Sequence, residues 1–275
     1  KKKKSRGSPV NAETEIWNGT NWTEVNNLNT ARSAFPGSSG ADSTSAIYSG
    51  GYTTTNVAVA ESWNGTNWTE VNDINTARRG VGSSSTSSTS SLIFSGYASS
   101  DSVLTEEWNG TNWTEIADLS TGRNQIGGAG TSTLGIAFGG NLVTTTDEFM
   151  GPGQPVGVWA TAATLNTARD GLAGIGASST AALGAGGNTP PGGYSADTEL
   201  YNGTSWTEVN NINQSRSKLT GLGIQTAALA VAGEESSPTN SAKTETWNGT
   251  NWTEVNDLNS AKKKSWSCRN YKSRI

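Results

Sequence analysis

Residues 14–25 read TEIWNGTNWTEV, and nearly the same string returns at 60–71, 105–116, 198–209 and 244–255. Aligned on one tryptophan, the chain falls into six units. Trp22, Trp68, Trp113, Trp159, Trp206 and Trp252 are spaced 46, 45, 46, 47 and 46 residues apart. Ten residues after each stands a cation: Arg32, Arg78, Arg123, Arg169, Arg216 and Lys262. A carboxylate precedes each tryptophan: Glu15, Glu61, Glu106, Glu148, Glu199 and Glu245. A period of this size points to a repeat architecture, in which each unit buries its apolar face against its neighbours.

Within a unit every local signal is β. Asn-Gly between short runs rich in Trp and Thr is a hairpin signal, because both residues accept positive φ at low cost. Upstream, STSAIYSGG (43–51), TLGIAFGG (133–140) and TAALGAGG (180–187) read as an apolar strand ending in a glycine pair. GLAGIGA (171–177) and LTGLGI (219–224) read as a glycine-punctuated strand before it. Four strands per unit, six times over, with no helical periodicity, predict an all-β fold: a six-bladed β-propeller of four-stranded antiparallel blades. Gly, Ala and Ser suit the crowded axis, and Trp suits the diverging outer strands. A parallel β-helix is the alternative, but its rungs are usually shorter and rarely use tight Asn-Gly hairpins. The phase gives complete blades near 33–71, 79–117, 124–161, 170–209 and 217–255, and only an outer hairpin at 14–25. One blade is therefore expected to be composite or incomplete, built from the two termini with an inner strand near Trp266. The predicted organisation is a basic tail at 1–11, a propeller over 12–262 and a basic C-terminal tail at 263–275. Lys1 opens the chain, in keeping with a processed or truncated start.

These residues resemble the kelch repeat family, whose pattern has a glycine pair closing the second strand. A Glu then stands two before an aromatic on the third strand, with a Trp on the fourth and an Arg after it. Here the pair is Gly50-Gly51, Gly139-Gly140 and Gly186-Gly187, reduced to Gly96-Tyr97 and Gly233-Glu234. The aromatic is Trp17, Trp63, Trp108, Tyr201 and Trp247, with Met150 in its place in one unit. That unit carries MGPGQPVGVW (150–159), a turn longer than its siblings. The resemblance implies a propeller closed by pairing of the chain ends. The units rich in Asn, Ser and Thr also look like propellers encoded by bacteriophages and environmental bacteria, where such modules sit on virions or appendages. The NGTNW turn is faintly similar to the Asp-box of sialidases, without its Asp.

The composition narrows the chemistry. The 275 residues include no histidine and one cysteine, Cys268. The commonest general base, the usual hydrolase triads, a cysteine zinc site and an internal disulfide are therefore out of reach. No cofactor and no metal are expected. The net charge of −4 divides into five positive charges at 1–6, six at 262–275, and eight positive against 23 negative between, a net of −15. An acidic body argues against nucleic acid. No apolar run approaches the roughly 20 residues of a membrane span.

Recognition is expected on the face of the variable connections 52–60, 97–105, 141–146, 188–197 and 235–243, since loops on a rigid scaffold carry binding. The candidate ligand-binding residues are Tyr52, Tyr97 and Tyr194 in those loops and the ring of Arg32, Arg78, Arg123, Arg169 and Arg216. Each arginine has a structural reading as well, as a tie from one blade to the next. Exposed Glu24, Glu70, Glu115, Glu208 and Glu254 are expected to discourage edge-to-edge aggregation. The expected function is a non-catalytic binding or structural propeller, extracellular or associated with a virion or cell surface. Its partner would be a protein, a glycan or its own copies. A sialidase-type glycoside enzyme and an intracellular kelch-type adaptor are the alternatives.

Overall fold

Trp63 and Trp68 face each other across a hairpin, and the same cross-strand pairing recurs around the whole computed structural model. The structure describes residues 10–33, 37–150, 157–236, 239–262 and 267–269, and these contain no helix. The first blade is Gly37–Asp42, Ser45–Ser49, Ala60–Trp63 and Trp68–Val71. The second is Gly82–Ser87, Ser90–Phe94, Thr105–Trp108 and Trp113–Ile116. The third is Gly127–Gly130, Leu134–Phe138, Thr146–Met150 and Val158–Ala162. The fourth is Ala173–Ser178, Ala181–Ala185, Thr198–Tyr201 and Trp206–Val209, and the fifth Thr220–Ile224, Ala227–Val231, Thr244–Trp247 and Trp252–Val255. All are antiparallel, in strand order, and together they form a β-propeller.

The blades number five, not the six that the spacing predicts. The remaining unit is a three-stranded closing sheet of Trp22–Val25, Thr14–Trp17 and Ser267–Arg269. The first unit supplies only its outer hairpin, so a tail strand takes the next position. Arriving from the other end of the chain, that strand runs parallel to Thr14–Trp17, where every blade has an antiparallel neighbour. It lies against the innermost strands of the fifth and first blades, Thr220–Ile224 and Gly37–Asp42. Residues 1–9, 263–266 (with Trp266) and 270–275 of the basic tails, and residues 151–156 of the long turn, lie outside the described residues.

The hub shows why its strands are rich in small residues. A Cβ on Gly174 would stand 2.4 Å from the Gly128 carbonyl oxygen, and one on Gly128 would stand 2.5 Å from that of Ser83. Neighbouring backbones touch, so bulk there would force the blades apart. Outside the hub the core lies between blades. Ile175 and Leu183 of the fourth blade pack with Trp247 and Trp252 of the fifth, and Ile136 and Phe138 of the third with Tyr201 and Trp206 of the fourth. Each such indole contributes roughly 1.5–3 kcal/mol on burial, and most also carry a hydrogen bond. Trp22, Trp68, Trp159, Trp206 and Trp252 donate Nε1 to the hydroxyls of Thr244, Thr14, Thr105, Thr146 and Thr198 in the preceding sheet.

Two readings of the repeat need correcting. In the third blade the aromatic opposite Trp159 is Phe149, at 5.2 Å between ring centroids, and not Met150, which is 44% exposed. The carboxylate in the repeat position is accordingly Asp147 and not Glu148. The NGTN turn also works differently from a two-residue hairpin. It is a four-residue loop in which only the glycine is left-handed, Gly19 having φ 103°. Asn18 acts as an acceptor, its Oδ1 receiving the Thr20 and Asn21 amides at 2.9 Å.

Candidate functional site

The segment entering each blade, such as Leu28-Asn29-Thr30-Ala31-Arg32, determines what the repeat cations do. Its arginine is buried: Arg32 and Arg123 are 2% exposed, and Arg78, Arg169 and Arg216 are 0%. Each pairs with the third-strand carboxylate of the blade it enters, as Arg32–Glu61, Arg78–Glu106, Arg123–Asp147, Arg169–Glu199 and Arg216–Glu245. The guanidinium also donates to carbonyls beside that strand; Arg169 Nη1 reaches Gly186 at 3.0 Å and Asp197 at 2.7 Å. The arginine backbone meanwhile accepts from the preceding unit, as Gly140 N to Arg169 O at 2.9 Å. Each residue thus links two blades, which is the structural tie expected from the sequence. Burial lowers the pKa of Arg123, Arg169 and Arg216, and the paired carboxylate opposes that shift. Asp147 has its pKa raised by burial, against the pull of Arg123. Lys262 plays the same part at the chain ends, 2.8 Å from Glu15.

The glycine pair allows the strand exit to pass close to the next blade. A Cβ on Gly50 would lie 2.6 Å from the Arg78 carbonyl oxygen. The second blade's pair is Ser95-Gly96 and the fifth blade's is Ala232-Gly233, so the sequence frame was one residue late. Ser95 and Ala232 hold the left-handed conformation of the missing glycine, at φ 61° and 60°. Tyr97 therefore aligns with Tyr52 as the first residue beyond the pair.

Those tyrosines stand together on the variable-loop side. The Arg79 guanidinium carbon lies 4.8 Å from the ring centroids of both Tyr52 and Tyr97. Arg79 Nη1 donates to Asn56 Oδ1 at 3.1 Å, and the Asn56 amide donates to the carbonyls of Tyr97 and Ala98 at 3.1 and 2.6 Å. In the Tyr97 loop, exposed Asp101 receives the side-chain amides of Asn124 and Asn141. Tyr194 stands apart from this group, on the small hairpin of Asn188–Thr189 and Gly193–Tyr194. Burial, and then the charge of Glu234, raises its pKa. Glu234 pairs with Lys218 at 2.8 Å, and Asp170, its pKa raised by burial, accepts from Asn188 at 2.9 Å. The structure therefore gathers Tyr52 and Tyr97, leaves Tyr194 in a second cluster, and places the five repeat arginines inside the walls. Sequence reasoning missed Arg79, although the doubled Arg78-Arg79 breaks a pattern whose siblings have Ser33, Asn124, Asp170 and Ser217 in the second place. In comparisons with known proteins, no family model matches the chain and no curated protein matches it.

Proposed function

We propose that this protein is a non-catalytic binding or structural propeller of kelch-like type. It serves as a recognition or assembly module on a virion or cell surface, outside the cell. The observation that carries the reading is the division of labour among polar side chains. The repeat-equivalent cations and carboxylates pair with one another inside the walls, while half-buried aromatic, amide and charged groups collect on the loops that differ between blades. A rigid frame with a varied polar loop face suits the capture of a protein or a glycan, or attachment to further copies in a larger particle.

The test pairs a glycan array and light-scattering chromatography with a panel of fluorogenic glycosides. The reading expects capture of a saccharide, a protein or a second copy, with no product released. Steady turnover of a glycoside would replace it with the sialidase-type enzyme.

A further inference from the structure

We infer that Arg79, framed by Tyr52 and Tyr97, is the anchor of a site for a sugar carrying a single carboxylate, of the hexuronic acid class. The inference rests on the reading of the loop face as a binding surface and names the ligand it takes. Among the described residues, Arg79 is the only cation with a described side chain that lacks a carboxylate partner. Arg32, Arg78, Arg123, Arg169, Arg216, Lys218, Lys243 and Lys262 all have one. One of its nitrogens is held by Asn56, whose own orientation is fixed by two backbone carbonyls. Its Nε and Nη2 have no protein acceptor among the described residues. A planar fork with two open donors matches a carboxylate in bidentate fashion, and a half-buried position limits screening by solvent.

The flanks favour a sugar over a bare anion. The Tyr52 and Tyr97 rings both lie against the guanidinium, and each has an apolar ring with a hydroxyl tip, which suits a ligand with both a C–H face and hydroxyls. Asp101, bridged through its backbone to Tyr97, offers a carboxylate acceptor for sugar hydroxyls beside the amides of Asn124 and Asn141. The same negative charge disfavours a densely sulfated chain.

Calorimetry with the full chain tests this, using trigalacturonate, the corresponding neutral galactose trisaccharide, a heparin-derived hexasaccharide and sodium sulfate. The expected result is binding of trigalacturonate over all three others. Arg79→Gln should lose about ten- to a hundredfold of that affinity, the worth of a charged hydrogen-bond pair, and melt near the wild-type temperature. If Arg79→Gln fails to fold, Arg79→Lys keeps the charge without the fork and should lose the preference while remaining folded. Equal binding of the neutral sugar, tighter binding of the sulfated chain, or full uronate affinity in either variant would overturn the proposal. If a different saccharide binds and is indifferent to Arg79, this site falls and the binding-module reading stands. If none of the four ligands binds, this site falls, and the binding-module reading falls with it only where the glycan array and the chromatography also show no capture.

Discussion

Lys262 Nζ lies 2.8 Å from Glu15 Oε1, so a buried ion pair joins the two ends of the chain without a covalent bond. Around it, Asn259 donates twice to Glu15 at 2.9 and 2.8 Å, Ser260 donates to Glu13 at 2.7 Å, and Trp22 reaches Thr244 at 3.0 Å. The ion pair, the Asn259 bonds and the indole bond have counterparts between most of the other units, but here no peptide connection backs them. Lys262→Met leaves Glu15 buried and short of a cation, a change that typically costs about 3–5 kcal/mol. Hydrogen exchange should show residues 14–25 losing protection first, well before the matching hairpin at 198–209. Equal loss in both hairpins would contradict this.

Trp113 has a buried Nε1 without a hydrogen-bond partner. Its five counterparts all donate to a threonine at the start of the preceding third strand, and the corresponding residue here is Ala60, which is fully buried. Ala60→Thr should restore the bond and raise stability by about 1 kcal/mol, read as a rise of about 2–4 °C in melting temperature. A fall would mean that the wall between the first two blades has no room for the hydroxyl.

Ala232 occupies the first glycine position of its pair at φ 60°. An L-residue pays roughly 1–2 kcal/mol there, partly offset by the greater freedom glycine has in the unfolded chain. Ala232→Gly is expected to stabilise by about 0.5–1 kcal/mol in denaturant titration, whereas the same exchange at Ala230, inside the strand, should destabilise.

Acid and alkali should act on different parts of the ring. Glu13 has a pKa held low, first by its hydrogen bond from Ser260 and then by that from Asn11. A depressed carboxylate contributes stability above its unfolded pKa and loses it as pH falls, so acid should loosen the joint between the chain ends. Tyr48 and Tyr201 have pKa values raised by burial, Tyr201 also by its bond to Glu148. Their contribution is complete below the unfolded tyrosine pKa of about 10 and declines as pH rises beyond it. Melting temperature followed from neutral to strongly alkaline pH should fall above that point, and less steeply in Tyr201→Phe.

The repeat, the hairpins, the crowded hub and the arginine ties were legible because each follows from a residue type at a fixed spacing. What escaped depends on register. Counting backward from Trp159 through a longer turn put Glu148 and Met150 where Asp147 and Phe149 belong, since only cross-strand pairing shows which residues face each other. Ser95 and Ala232 concealed the glycine frame because their neighbours hold them in a conformation that sequence assigns to glycine. A tail strand is expected near Trp266, but its parallel direction has no local signal, and Arg79 is hidden beside the repeated Arg78.

The repeat cations are ties of the fold, and the proposed binding surface uses other side chains. Arg169 is the cleanest case, fully buried and 2.6 Å from Glu199, and the thermal unfolding midpoint of Arg169→Gln is its most direct test. A drop of roughly 10 °C is predicted, since a buried carboxylate loses its partner. A variant that melts with the wild type would show that the ring does not depend on this pair.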